Sequence, residues 1–160
     1  MICDFNDMKF NHIRKAVISD VSRISEIYVF NNRMCYFPIF KNVDFSFGEL
    51  QVITYSKILE DGLLDNVYVY DDDVIKGFVL IEKDEVRKLY VDYFFQSQGI
   101  GSSLLEYAVD VHKTNFLWTL KKNIKAIQFY KKHGFKETSE TKILPGVGDH
   151  VEYLVKLCKE

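Results

Sequence analysis

The segment Gln96-Ser97-Gln98-Gly99-Ile100-Gly101-Ser102 carries the strongest local signal for chemistry. Two glycines two residues apart let a backbone turn tightly and approach a ligand closely. The run before it, Glu85–Phe95, reads as a strand; the run after it puts Ile100, Leu104, Ala108 and Val111 on one helical face. A helix N-terminus presents unpaired N–H groups and positive potential, so a glycine turn that opens a helix can cradle a phosphate. The same spacing also serves as a plain tight turn. Two phosphate motifs fail on their residues. A Walker loop needs Gly-Lys-Ser/Thr, which is absent, and Leu104 stands where a dinucleotide fingerprint needs its third glycine. Cys3, Cys35 and Cys158 form no CxxC pair, and His12, His112, His133 and His150 show no HxxxH or HExxH spacing, so no metal and no disulfide framework are expected. Cys35 reads as a buried, reduced cysteine.

The elements that would hold this turn follow from the apolar periods. His12–Ile18 reads as a strand. Ser19 offers an N-cap, with Val21, Ile24 and Ile27 at helical spacing, giving a helix to about Asn31. Met34–Val43, with Pro38 and many aromatics, reads as a loop. Ser46 and Glu49 make a capping box, with Phe45 and Leu50 as its staple, for a helix running to Leu59 and stopped by Gly62. Asn66–Tyr70 and Val74–Glu82 then flank Asp71-Asp72-Asp73 as a hairpin. Phe116–Leu120 is a buried strand, and Asn123 caps a helix that ends at Lys131-Lys132-His133 and Gly134. Phe135–Ile143 and Val151–Leu157 close the chain as strands around a turn with Pro145, Gly146 and Gly148. The order is β-α-α-β-β-β-α-β-α-β-β. It predicts a single α/β (α+β) domain over residues 1–160, with a mixed, mostly antiparallel sheet of about seven strands and helices on both faces.

Two stretches resemble a known family. KLYVDYFFQSQGIGSSLLEYA is similar to the acetyl-coenzyme A motif of the GNAT superfamily of N-acetyltransferases, a strand ending in L-Y-V followed by [QR]-x-x-G-x-[GA] and a helix. NIKAIQFYKKHGFKE resembles the superfamily's N-x-x-A-x-x-F-Y-x-x-x-G-F signature at Asn123, Ala126, Phe129, Tyr130, Gly134 and Phe135. The resemblance spans roughly Val74–Thr138. It implies that the pantetheine arm of acetyl-coenzyme A pairs with Leu89, Tyr90 and Val91. The pyrophosphate would lie against Gln96, Ser97, Gln98, Gly99, Ile100, Gly101 and Ser102, with Asn123 and Tyr130 along the same cleft. Seven residues are about two helical turns, so Asn123 and Tyr130 face the same way. Ser97, Gln98 and Tyr93 replace the glycine, the cation and the proline common in the family. The cradle then leans on backbone amides, and losing one exposed cation near phosphate costs about 1 kcal/mol or less.

The resemblance further implies acetyl transfer from acetyl-coenzyme A to a primary amine of a small molecule or peptide, by direct attack in a ternary complex. An alkylammonium has a pKa near ~10.4, so freeing its lone pair at pH 7 costs about 4.6 kcal/mol. A proton acceptor is therefore expected. The family places a carboxylate on the strand before L-Y-V, which points to Glu85, with Asp92 a poorer choice. Tyr130 would assist departure of the thiolate. A non-catalytic acyl-coenzyme A sensor or interaction module is the alternative, and the acceptor wall is expected from the aromatic Met34–Val43 loop. Composition bounds the rest. The chain is 160 residues long and 48% apolar, with a net charge of −2 and 28% charged residues. That balance excludes a disordered chain and argues against nucleic acid as a partner. Asp4 and Asp7 stand where a signal peptide would be basic, and no run reaches the ~18 apolar residues of a membrane span. A cytoplasmic protein without membrane contact, monomer or homodimer, is expected.

Overall fold

In the computed structural model, residues 8–145 and 151–160 are described. The elements are β1 (Ile13–Lys15), α1 (Val21–Phe40), α2 (Val52–Glu60), β2 (Val67–Asp72), β3 (Val74–Glu82), β4 (Glu85–Val91), α3 (Ile100–Asp110), β5 (Phe116–Leu120), α4 (Ile124–Lys132), β6 (Phe135–Leu144) and β7 (Glu152–Lys159). The strands form one sheet in the order β1-β2-β3-β4-β5-β7-β6. Every neighbouring pair is antiparallel except β4 and β5, which the crossover helix α3 makes parallel. The element order and the mixed sheet are as the sequence predicts. Gly146, Gly148, His150, Asp4, Asp7 and Cys3 lie outside the described residues.

Alternation along β2 and β3 divides the core. Val79, Ile81 and Val86 pack with Ile100, Leu104 and Leu105 of α3 and with Ile127 of α4. Val67, Val69, Phe78 and Leu80 pack on the other face, against Val21, Ile24 and Ile27 of α1 and Tyr55 and Leu59 of α2. Gly77 is required by close approach: a Cβ there would meet the carbonyl oxygen of Tyr90 at 2.8 Å.

Four local expectations are corrected. Met34–Val43 is not a loop, because α1 continues to Phe40 with Pro38 inside its last turn. Pro38 costs one N–H bond to the preceding turn. Phe40 meanwhile buries against Leu120, with Tyr36, Ile39, Leu144 and Leu154 around it. That burial offsets the loss, since each apolar side chain taken from water contributes about 1.5–3 kcal/mol. Ser46 and Glu49 do not cap α2. They lie in a wide turn, Asp44–Glu49, whose carbonyls Arg33 claims by donating to Ser46 O at 2.8 Å and Leu50 O at 2.9 Å. Ser19 does not cap α1; Asp20 secures that start by accepting from the Val17 N–H at 2.9 Å. The strand expected over Glu85–Phe95 ends at Val91. Asp92 then accepts from the Phe94 N–H and turns the chain through Tyr93–Phe95.

Candidate active site

The parallel join of β4 and β5 is short. Glu85 pairs with Phe116 and Val86 with Leu117, and beyond that β5 follows β7, pairing Trp118, Thr119 and Leu120 with Lys156, Val155 and Leu154. The two strands diverge, and residues 88–91 have no strand partner on the β5 side. The gap is a cleft of about 640 Å³. α1 crosses above it, its first half packed over β2 and β3 and its end over β5 and β7. The helix extension at Tyr36–Phe40 thus roofs the gap.

At one end of the cleft stands the glycine turn. Gly99 has φ +83° and Ser97 φ +61°, so the chain reverses through two left-handed residues before α3 begins. Gly99 suits this conformation, whereas Ser97 carries a strain of about 1–2 kcal/mol there. A Cβ at Gly101 would lie 3.5 Å from Phe129 and Val91, which brings the first turn of α3 close to both walls. Gln96 donates to Val91 O at 3.2 Å and to Asn31 Oδ1 at 3.3 Å. His133 has Nδ1 2.8 Å from Phe129 O, so that nitrogen carries the proton, and Nε2, 2.9 Å from Ser102 Oγ, accepts from the hydroxyl. Lys125 and Lys132 of α4 line the same cleft and supply the positive charge that Gln98 does not.

On the α4 wall, Asn123 caps the helix by accepting from the Ala126 N–H at 3.2 Å. Two turns on, Tyr130 is buried, its ring edge-on to Phe129 at 5.2 Å and to Phe135 at 6.0 Å. Burial, with nearby Tyr36, pushes its phenol well above the ordinary range. Burial also raises Tyr36, against the pull of its hydrogen-bonding contacts with Tyr90 and Asn123. These hydroxyls therefore hold their protons at neutral pH and act as donors.

The two faces of β4 are set by a bulge. Val86 pairs with Ile81 and Lys88 with Leu80, leaving Arg87 as an extra residue. Val86, Leu89 and Val91 consequently share the α3 face, while Glu85, Lys88 and Tyr90 share the α1 face. Lys88 is half-buried; burial, helped by Arg87, pushes its ammonium down to about 8.

The cleft brings together Leu89, Tyr90, Val91, Gln96, Ser97, Gly99, Gly101, Ser102, Asn123 and Tyr130 of the residues read from the sequence. Three stand apart. Ile100 turns its side chain into the core, Gln98 is exposed on the turn, and Glu85 lies beyond the cleft wall, beside Asp84 and Phe116. Cys35 is exposed rather than buried and lines the cleft. Loss of solvation there pushes its thiol up, so it offers no ready thiolate. Tyr36 and Lys88 escaped the sequence reading: a loop was expected around the first, and simple alternation says nothing about the second. Among the described residues, no helix is long and apolar enough to cross a membrane, and no three His, Cys, Asp or Glu side chains are grouped to hold a metal.

A splayed parallel strand pair beside a glycine turn is the layout that the sequence resemblance implies, and comparison with known proteins bears on the same segment. Residues 64–137, a little under half of the chain, match the acetyltransferase (GNAT) domain family. It is 34% identical over 77 residues to the peptidyl-lysine N-acetyltransferase YjaB of Salmonella typhimurium, covering 48% of this chain and 53% of that protein. It is 35% identical over 66 residues to the uncharacterized N-acetyltransferase MJ1207 of Methanocaldococcus jannaschii, covering 38% of this chain and 29% of that protein. The chain thus matches about half the length of YjaB and less of MJ1207. The fold is shared with the PaiA N-acetyltransferase of Thermoplasma acidophilum in complex with coenzyme A, at a TM-score of 0.72 and 20% identity over 91% of this chain and 97% of that one. Apo YjaB of Escherichia coli gives a TM-score of 0.69 at 20% identity, over 91% and 95%.

Proposed function

We propose that this chain is an N-acetyltransferase that moves an acetyl group from acetyl-coenzyme A to a primary amine of a small molecule or peptide in a ternary complex. The carrying observation is the cleft itself: strand backbone left open at residues 88–91, with a glycine-turned helix N-terminus and the buried Tyr130 both lining it. The residues fit the cofactor. The open backbone of Leu89, Tyr90 and Val91 would pair with the amides of the pantetheine arm. The first-turn N–H groups of Gly99, Ile100, Gly101 and Ser102 would hold the pyrophosphate, with Lys125 and Lys132 adding charge. Bound there, acetyl-coenzyme A supplies a thioester carbonyl open to attack and a thiolate leaving group.

The protein's part is orientation and protons. Tyr130, kept protonated by burial, donates a hydrogen bond to the sulfur as negative charge develops on it. Glu85, whose side chain is only 17% exposed, is the carboxylate on the acceptor face of β4 and takes the amine's proton by way of solvent. The relatives named for peptidyl-lysine acetylation support a peptide amine among the acceptors, and we place the reaction in the cytoplasm. Calorimetric titration with coenzyme A, followed by amine-dependent thiol release from acetyl-coenzyme A, tests the reading. Saturable binding with amine-dependent release is expected. Binding without release would make the chain a sensor, and no binding would overturn the assignment.

A further inference from the structure

We infer that Lys88 is an acceptor-binding residue that selects an amine carrying its own carboxylate, an amino-acid-like molecule. This rests on the acetyltransferase reading above and narrows its substrate. The arginine bulge turns Lys88 onto the α1 face of β4, in line with Tyr90 and within the cleft. Its Nζ lies 4.8 Å from the centroid of the Tyr28 ring and 3.4 Å from the Tyr28 hydroxyl, a long hydrogen bond. Tyr28 in turn stacks on Tyr55 at 3.9 Å and meets Tyr90 edge-on at 5.3 Å.

An ammonium has three donors, and Tyr28 engages one of them weakly. Among the described residues, none of the ion pairs reaches Lys88: Glu82 and Glu85, further along the same face, are within reach of Arg87 instead. Glu82 attracts Lys88 without pairing with it, and a half-buried cation without a bonded counter-ion is costly and is relieved by an anion. The surroundings point the same way. Among the described residues, the ionisable groups that line the cleft are Arg87, Lys88, Lys125 and Lys132 together with Cys35 and tyrosines, with no carboxylate. Lys125 and Lys132 belong to α4, Lys125 reaching Gln96 Oε1 at 3.4 Å, and Arg87 is exposed and turned to Glu82 and Glu85. Lys88 is left facing the acceptor. A carboxylate on the acceptor supplies the missing partner, with the Tyr28–Tyr55–Tyr90 stack beside it for an apolar side chain. A dicationic acceptor such as a polyamine would meet Lys88 as a like charge.

The test compares amino acids with their carboxamides as acceptors, in the wild type and in Lys88→Met and Lys88→Arg, with coenzyme A affinity measured for each protein. Taking the acid-to-amide ratio of kcat/KM in the wild type over that in Lys88→Met cancels the different basicity of the two amines. A hydrogen bond to a charged group sets that quotient at about 10- to 100-fold. Lys88→Arg retains most of the preference, because the charge remains. An unchanged ratio in Lys88→Met overturns the inference. So does failure of the wild type to use any amino acid while it binds coenzyme A normally and acetylates other amines. Loss of coenzyme A binding in the wild type would instead overturn the cofactor reading on which the inference rests.

Discussion

Replacing Tyr130 with phenylalanine removes one oxygen and leaves the packing of the ring against Phe129 and Phe135 in place. On the proposed mechanism, what is lost is a donor to the leaving sulfur. A thiol near the ordinary ~8.5 and a phenol near ~10 differ by about 1.5 pKa units, so passing the proton to the thiolate is uphill by about 2 kcal/mol even for an unperturbed tyrosine. Burial pushes Tyr130 further up, which widens that gap and favours hydrogen bonding over proton transfer. Such a bond to a forming anion contributes about 1.5–3 kcal/mol, or roughly 10- to 150-fold in turnover. It is weak before charge develops, so affinity for acetyl-coenzyme A should change less than about threefold. The assay is thiol release under saturating acetyl-coenzyme A, paired with calorimetric affinity on the same preparation. Because the phenol titrates above its ordinary value, Tyr130 should introduce no decline in rate between pH 7 and 9. Equal losses in turnover and affinity would make Tyr130 a packing residue, and undiminished turnover would remove it from the chemistry.

Gly101→Val should fold normally, since a Cβ there makes ordinary 3.5 Å contacts. Its added methyls narrow the cradle, however, and a loss in coenzyme A affinity of about tenfold, or ~1.4 kcal/mol, is expected by titration. Glu85→Gln should slow turnover by about 10²–10⁴ if Glu85 receives the proton; wild-type rates would pass that role to solvent alone. Asp20 is 6% exposed and pairs with Arg14 at 2.7 Å. Burial alone would raise its carboxyl, but the bonds from Arg14 and the Val17 N–H outweigh burial and leave it below its ordinary value. The stability this pairing adds is present above the unfolded carboxylate pKa and fades as pH falls through the lower folded one. Asp20→Ala should therefore cost about 2 kcal/mol at pH 7 in denaturant titration, with the gap from wild type closing in acid; a constant gap would refute the linkage.

How much of this was legible depended on how local each cause was. Gly99, Gly134 and Asn123 act within a few residues of themselves, and the glycine turn and the cap of α4 stand where the sequence predicts. The end of α1 was illegible because its cause is distant: Phe40 is held by Leu120 and Leu154, over 70 residues downstream. The Ser46 box matched a motif, yet the Ser46 N–H donates to Asn42 O at 3.0 Å and Arg33 from another helix holds the Ser46 and Leu50 carbonyls. For the same reason Tyr36 and Lys88 escaped. Tyr130 and the glycines sit in motifs, whereas Tyr36 enters the cleft only through the extension of α1 and Lys88 only through the Arg87 bulge.

That bulge makes β4 unusually sensitive to length. A strand's faces are kept by counting in twos, and the extra residue at Arg87 resets the count between Glu85 and Lys88. Removing any one residue from this short stretch would restore plain alternation. It would also rotate one end of the strand, sending either Glu85 toward the α3 core and Val86 out of it, or Lys88 and Tyr90 out of the acceptor wall. Side-chain replacements here leave the reading frame of the strand intact, while a single codon lost exchanges its two surfaces at once. Sequence drift in this segment should therefore proceed by substitution, and β4 of working relatives should keep a constant number of residues between the β3–β4 turn and the glycine turn.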